Sequence, residues 1–411
     1  MRVTTLWRRL VGVMSLFVVG VRWEADALIL AVRPRWLKPR CGECGQRAPG
    51  YDRNPCRRWR ALSYGKVVVY LEYTPRRVNC RRCKGVRVEQ VPWAAHGSWF
   101  TRAFEELAAY HAQITDKTSV TKLLGISWEA VGNIVARVVD RALDEGRLST
   151  LQRIGIDEFS YRKHHRYITV ITDHDTRRVV WATKGKGAAA LAEFFELLGP
   201  QGVARLKLAT IDMSGGYMKA LEEKAPHVKV VFDRFHVQSL VSDAVDEVRR
   251  SIWREIKGSK EGKAIKGLRF ILLKNPWNLT SKQRQKLSGL QHTNKRLYRA
   301  YLLKEAFAAA LDYRQLKRAT EAIDDWLAWA SRSRLQPFIK VARTIRKHRD
   351  GILAYVAERT TNGIVEGFNN RLRMIARRAY GFHSASAFIA MLHLCVGAIK
   401  LNPPLPSPTK P

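Results

Sequence analysis

Apolar residues along this chain change their spacing several times, and each change predicts a different kind of element. From about Ser15 to Glu24 and from Ala27 to Val32 they alternate or come in short runs, and Gly12 and Gly20 interrupt them. That pattern predicts two short strands, and it falls short of the roughly 18–20 continuous apolar residues a membrane span requires. Val67-Val68-Val69-Tyr70-Leu71 predicts a further strand. Between Phe100 and Leu148 the spacing lengthens to the helical period. Val120, Leu123 and Leu124 give one apolar face, Gly125 supplies a turn, and Ser127 is placed to cap a second helix that carries Val131, Ile134, Val135 and Val138 inward. This is the layout of a helix-turn-helix. Trp128, Glu129, Asn133 and Arg137 then lie on the outward side of the second helix, where such a helix meets a DNA groove or phosphates. A plain helical hairpin would carry the same periodicity.

From Arg153 to about Glu247 strands and helices alternate. Arg153-Ile-Gly-Ile-Asp157 is an apolar strand ending on an acid, and Leu206-Lys-Leu-Ala-Thr-Ile-Asp212 is another. Between them, Tyr167–Asp173 and Arg178–Thr183 predict a hairpin turning on His174-Asp175-Thr176, followed by an amphipathic helix over Ala188–Leu198. Met218–Lys224 reads as helix and Val228–Asp233 as strand, running into a helix that starts near His236. The order β-β-β-α-β-α-β-α is that of the ribonuclease H fold, in which the strands ending at Asp157 and Asp212 lie side by side. Arg249 to about Arg346 is helical and very basic, with charged clusters at Lys257–Lys266 and Lys282–Lys286, and reads as an insertion outside the sheet. A later helix sets Asn362 and Glu366 four residues apart on one face, with Asn370 and Arg373 continuing that face as candidate DNA contacts.

The expected architecture is therefore multidomain α+β. It comprises N-terminal strands and a zinc ribbon (1–95), a helix-turn-helix (96–150), an α/β ribonuclease H-like core (151–248 and 347–400) interrupted by an α-helical insertion (249–346), and a flexible tail (401–411). A length of 411 residues agrees with two to four domains.

Charge narrows the partner. Lys and Arg total 73 against 36 Asp and Glu, a net +37 distributed over the whole length. A folded chain so charged repels itself unless a polyanion neutralises it, and phosphates with their releasable counterions make nucleic acid the natural one. Cysteines add a metal. Cys41-x-x-Cys44 and Cys80-x-x-Cys83 form two knuckles, each presenting two thiolates for a tetrahedral Zn²⁺, although 35 residues separate the pairs and the strands between must bring them together. Cys56 is expected to be free and Cys395 to sit in an apolar helix. Arg8-Arg9, the apolar run after them and Ala25-Asp26-Ala27 imitate a signal peptide, but reduced metal-binding thiols and the charge argue against export. Met1–Arg9 itself has no assignable counterpart.

Asp157, Asp212 and Glu366, converging from distant positions, form a set of hard oxygen ligands suited to two Mg²⁺ or Mn²⁺ ions, the arrangement that cleaves and joins phosphodiesters. The chain resembles the ISL-three family of bacterial insertion-sequence transposases over nearly its whole length. The resemblance lies in both knuckles, the helix-turn-helix, Gly155-Ile-Asp157-Glu-Phe, Thr210-Ile-Asp212-Met-Ser, Phe232-Asp-Arg-Phe-His-Val and Thr361-Asn-Gly-Ile-Val-Glu366-Gly-Phe-Asn-Asn. The resemblance implies a DDE triad at Asp157, Asp212 and Glu366, and places Asp233 and His236 near the active site. It also implies that the zinc and helix-turn-helix modules recognise the element's terminal inverted repeats, and that target DNA is the second substrate. A homodimer or larger assembly on DNA, in the bacterial cytoplasm and nucleoid and away from membranes, follows from the same reading. Glu158 is expected to point to the opposite face of its strand, Asp173 and Asp175 to serve the hairpin turn, and Asp324 and Asp325 to lie on a solvated helix face. Most of the 12 Trp are core candidates, with Trp253 and Trp277 placed to stack on unpaired bases. Two other readings stay open: a non-catalytic DNA-binding regulator derived from a transposase, and a structure-specific nuclease sharing the same core.

Overall fold

A computed structural model describes residues 2–162, 166–213, 215–358, 362–379, 382–397 and 399–404. The chain forms two compact units, Met1–Leu143 with His393–Pro411, and Asp144–Leu392.

In the first unit a helix α1 (Val3–Val11) precedes the strands β1 (Leu16–Glu24) and β2 (Ala27–Pro34). The two strands form an antiparallel pair with an irregularity between Val18 and Gly20. Five more strands follow: β3 (Gly50–Arg53), β4 (Arg57–Arg60), β5 (Val68–Tyr73), β6 (Arg76–Cys80) and β7 (Gly85–Val88). They divide between two sheets, β1-β2-β5-β4 and β3-β6-β7. This explains the long spacing between the cysteine pairs. The chain leaves the small sheet after β3, contributes β4 and β5 to the larger one, where β5 runs parallel to β2 from Ala27↔Val68 to Ala31↔Glu72, and returns as β6. The larger sheet closes over Leu28, Leu30, Val69, Leu71, Trp59 and Trp93, all buried. Trp93 meets both Trp59 and Tyr73 edge-on at 5.6 Å, the offset geometry that aromatic quadrupoles favour.

Three helices complete this unit: α2 (Arg102–Ile114), α3 (Lys117–Leu124) and α4 (Trp128–Ala142). Asp116 caps α3 through Ser119 N–H at 2.9 Å, and Ser127 caps α4 through Ala130 N–H at 3.1 Å. Between them Gly125 takes the left-handed conformation, φ 62°, that a side chain would resist.

The second unit is built on strands β8 (Arg153–Arg162), β9 (Arg166–Asp173), β10 (Arg178–Lys184), β11 (Leu208–Ile211) and β12 (Lys229–Phe232). Their order is β10-β9-β8-β11-β12. The first three are antiparallel neighbours, whereas β11 runs parallel to both β8 and β12. Helix α5 (Ala188–Arg205) links β10 to β11 and breaks at Gly199, immediately before Pro200. That is where the apolar helical pattern ends. Helix α6 (Gly215–Lys224) follows β11, and α7 (Arg234–Glu255) follows β12 as one continuous helix.

Seven further helices precede the C-terminal pair: α8 (Lys260–Gly267), α9 (Arg269–Leu273), α10 (Ser281–Thr293), α11 (Lys295–Asp312), α12 (Leu316–Ser331), α13 (Gln336–Lys347) and α14 (Arg349–Glu358). Their buried residues, among them Leu290, Phe307, Trp326 and Phe338, belong to the same hydrophobic cluster as Ile154, Ile211 and Phe232 of the sheet. The chain ends with α15 (Asn362–Arg378) and α16 (Ala385–Val396). Among the described residues no helix is long and apolar enough to cross a membrane.

Candidate catalytic cleft, metal knuckles and DNA-reading helix

Register alone brings the key acids together. β8 and β11 pair in parallel from Arg153↔Leu208 to Gly155↔Thr210. Two residues further along each strand stand Asp157 and Asp212. β11 and β12 pair up to Ile211↔Phe232, so Asp233 follows beside Asp212. Asp157, Asp212, Asp233 and His236 line one cleft, into which α15 sends Leu372. Asp233 caps α7, accepting Phe235 N–H at 2.9 Å. That cap fixes the first turn of the helix, and with it His236.

Small residues shape the cleft floor. A Cβ at Gly155 would stand 2.6 Å from Thr172 Oγ1 and 3.2 Å from the His174 ring, so glycine is required there. His174 is buried, with Nε2 3.1 Å from Thr210 Oγ1. Burial holds its imidazole below the ordinary range, and the Arg153 charge adds to this. The unfolded chain, titrating near the ordinary value of about 6.5, therefore takes up the proton first, and stability falls as pH drops through that value. Thermal midpoints from about pH 8 to pH 5.5 should decline more steeply for wild type than for His174→Gln. Equal slopes would remove His174 as the cause.

Glu158, next to Asp157, is half-buried. Burial raises its carboxyl above the usual carboxylate range, the Asp212 and Asp157 charges add to the rise, and a hydrogen bond with Tyr217 opposes it. The fully buried Tyr217 hydroxyl lies 2.9 Å from Thr169 Oγ1.

Glu366 belongs to α15, but its side chain lies outside the described residues. On the same helix Asn370 and Arg373 are exposed, with Arg373 Nη1 donating to Asn370 Oδ1 at 3.4 Å. Among the described residues, the only group of three or more metal-ligand side chains whose donor atoms all lie within 4.8 Å of one another is Cys41, Cys44, Cys80 and Cys83.

That cluster has the form of a metal site. The Cys41 and Cys83 sulfurs are 3.9 Å apart, and those of Cys44 and Cys80 are 3.5 Å apart. A tetrahedron of thiolates on zinc, with Zn–S about 2.3 Å, has edges of about 3.8 Å. Cys83 N–H donates to Cys80 Sγ at 3.5 Å, which, ahead of hydrogen bonds from the neighbouring thiols, lowers the Cys80 thiol to about 7. Cys56 is exposed and Cys395 half-buried, both outside the cluster.

In the helix-turn-helix, Val131, Ile134, Val135 and Val138 of α4 are buried as the periodicity predicts, and Asn133 is exposed. Trp128 is exposed on one side, while Lys117 Nζ sits 3.4 Å from its ring centroid. Leu123 departs from expectation. It is 62% exposed, and in this eight-residue helix only Val120 is buried.

Arg137 also has an internal partner: its Nε donates to Glu105 at 2.7 Å. Glu105 on α2 is fully buried and additionally receives Arg141 at 3.2 Å and Ser98 Oγ at 2.7 Å. A glutamate in an amphipathic helix normally reads as a solvated residue, so its sequence context gave no sign of this role. Glu105→Ala should cost about 3 kcal/mol, because two guanidiniums lose a buried anion. Asn133→Ala should leave the melting temperature unchanged. Differential scanning calorimetry of both variants checks this, and equal midpoints would contradict it.

Known proteins align with this chain at two levels. A transposase family model matches residues 154–392, and the helix-turn-helix domain of transposase family ISL3 matches residues 89–139. The transposase for insertion sequence element IS1557 of Mycobacterium tuberculosis is 37% identical over 428 aligned residues, covering 96% of both chains. The transposase for insertion sequence element IS1001 of Bordetella parapertussis is 28% identical over 376, covering 90% of this chain and 93% of its own.

Proposed function

The chain belongs to transposase family ISL3, and we propose that it is the transposase of a bacterial insertion sequence, binding the element's terminal inverted repeats and cutting and joining DNA at Asp157, Asp212 and Glu366. The observation that carries the catalytic part is the parallel register Gly155↔Thr210, which sets Asp157, midway along β8, beside Asp212, just past the end of β11. The strand order β10-β9-β8-β11-β12, with three antiparallel strands followed by two parallel ones, supports a ribonuclease H-like core interrupted by the basic helices between α7 and α14.

In this reading Asp157, Asp212 and Glu366 hold divalent cations through hard carboxylate oxygens. Divalent cations such as Mg²⁺ or Mn²⁺ bound there would supply activation of the attacking hydroxyl and charge relief on the leaving oxygen. Asp157, on β8 between β9 and β11, would be one of the residues that hold the metal. Asp233 and His236 border the same cleft and orient the DNA strand or the carboxylates. Cys41, Cys44, Cys80 and Cys83 hold a structural Zn²⁺. Trp128 and Asn133 of α4, with Arg137 steadied by Glu105, contact the terminal repeat, while Asn370 and Arg373 contact DNA from α15. Two ends cut together call for a homodimer or larger assembly on DNA, working in the bacterial cytoplasm. Incubation with Mg²⁺ or Mn²⁺ and DNA bearing the element's ends tests the assignment. Cuts at the element–flank junction support it, and equal cutting of scrambled ends would overturn it.

A further inference from the structure

The basic helical segment carries a surface that the reading above does not use. Between Lys257 and Lys286 nine Lys and Arg residues accompany a single acid, Glu261, and all nine are exposed. Two large aromatic rings stand out among them: Phe270 is 70% exposed and Trp277 72%. Neither is loosely held. Phe270 is on α9, between buried Leu268 and buried Ile271 and Leu272, and Trp277 sits in a short 3₁₀ turn before buried Leu279. The buried Lys304 Nζ donates to Lys274 O at 3.2 Å, pinning the backbone between the two rings. Nearby, Trp253 is half-buried with Lys257 and Lys266 at 5.8 and 6.0 Å from its ring.

Exposed rings of this size forgo the gain of burial, so they mark a contact surface. Their surroundings decide what they contact. The core of a protein–protein interface is poor in lysine, whereas this patch is crowded with it. Cations that follow a phosphate backbone, with fixed rings between them for bases to stack on, are the combination that binds single-stranded nucleic acid. Paired bases in a duplex keep their faces occupied and offer such rings nothing.

We propose that this surface is a second DNA site, separate from the helix-turn-helix, which takes unpaired DNA by stacking bases on Phe270 and Trp277 while the surrounding lysines hold the phosphates. It rests on the reading of the chain as an enzyme that acts on DNA, and it gives strands opened at a cut end a place to bind.

The test uses the full-length protein without divalent metal and fluorescein-labelled 20-nucleotide DNA, single-stranded or as a duplex, read by anisotropy at fixed salt. Phe270→Ala/Trp277→Ala should weaken single-strand binding roughly ten-fold or more while leaving the duplex within about two-fold. Trp277→Phe with Phe270 intact should retain most of the single-strand affinity. Lys260→Gln/Lys263→Gln/Lys266→Gln should weaken both forms. Both rings are exposed, so an unchanged melting temperature in the double alanine variant accompanies the expected result. Wild-type single-strand affinity in that variant, or an equal loss on duplex, would overturn the proposal. Since no cleavage is measured, a failure of the catalytic assignment shows only in the cutting assay and leaves this result distinct.

Discussion

Asp157→Asn abolishes cleavage at the element's ends, lowering the single-turnover rate by roughly 10³-fold or more, the equivalent of about 4 kcal/mol of lost transition-state stabilisation. The substitution keeps the shape of the side chain and removes the charge proposed to hold a divalent cation. It removes that charge from a place where three aspartates, Asp157, Asp212 and Asp233, line one cleft. Asn keeps the Oδ1 that accepts Glu158 N–H, so the variant should be about as stable as wild type and keep its melting temperature. Binding of end-bearing DNA should stay within about two-fold, since removing one anion from a chain of net +37 favours DNA slightly. Asp212→Asn should behave alike. Gel analysis of end-labelled DNA alongside a binding titration separates the effects. Undiminished cutting by Asp157→Asn would remove the acid from the mechanism, and a joint loss of binding and melting temperature would make its role structural.

The second large effect concerns the thiolate cluster. The small sheet β3-β6-β7 has almost no apolar core of its own: Cys41, Ala48, Val78 and Cys80 are its buried residues. So little buried surface does not hold three short strands together, and the proposed zinc on the four thiolates would supply what is missing. Zinc binding at such sites is worth on the order of 10 kcal/mol in isolated peptides, so losing even a third of that would lower the midpoint of this region by roughly 10 °C or more. Cys80→Ser, or a strong chelator, should therefore bring bound zinc from one equivalent to none and melt the ribbon early. The larger sheet has its own core around Trp59 and Trp93 and should melt later, as a separate transition. Metal analysis with calorimetry checks this. A single unshifted transition after zinc removal would contradict it. Because β4 and β5 of the larger sheet lie between the two knuckles, melting the ribbon should also weaken binding of the terminal repeats.

How much of this was legible beforehand depends on what kind of information each feature carries. Short apolar runs marked β8 and β11, because strands buried on both faces advertise themselves by composition, and their order placed Asp157 beside Asp212; the expected end of β8 at Asp157 was wrong, since pairing with β9 carries the strand on to Arg162. The inward face of α4 was equally readable from Val131, Ile134, Val135 and Val138. Periodicity tells which side of an element is buried and not what it is buried against. It therefore missed that β5 leaves the cysteine knuckles to pair with β2, and that the outward-reading Arg137 turns back to Glu105. Leu123 was assigned to the core because apolar residues three apart usually share a face, yet α3 is too short to bury more than Val120. The N-terminal residues showed no element on paper. As α1 they lay Trp7 and Val11 against the larger sheet's core and leave Val3, Leu6 and Leu10 exposed, a division that the strong strand signal just after them obscured. Glu366 rests on its sequence context within α15, between Asn362 and Asn370.

Asp157, Asp212 and Glu366 together are proposed to hold the ions that act on DNA. A crystal of the full-length protein on end-bearing DNA, grown with Mn²⁺ and measured at the manganese absorption edge, tests this most directly. Two anomalous peaks about 3.5–4 Å apart, bounded by the carboxylates of those three residues, are expected. Ions bound elsewhere, or a DNA-bound cleft in which any of the three carboxylates stays out of coordinating distance, would contradict it.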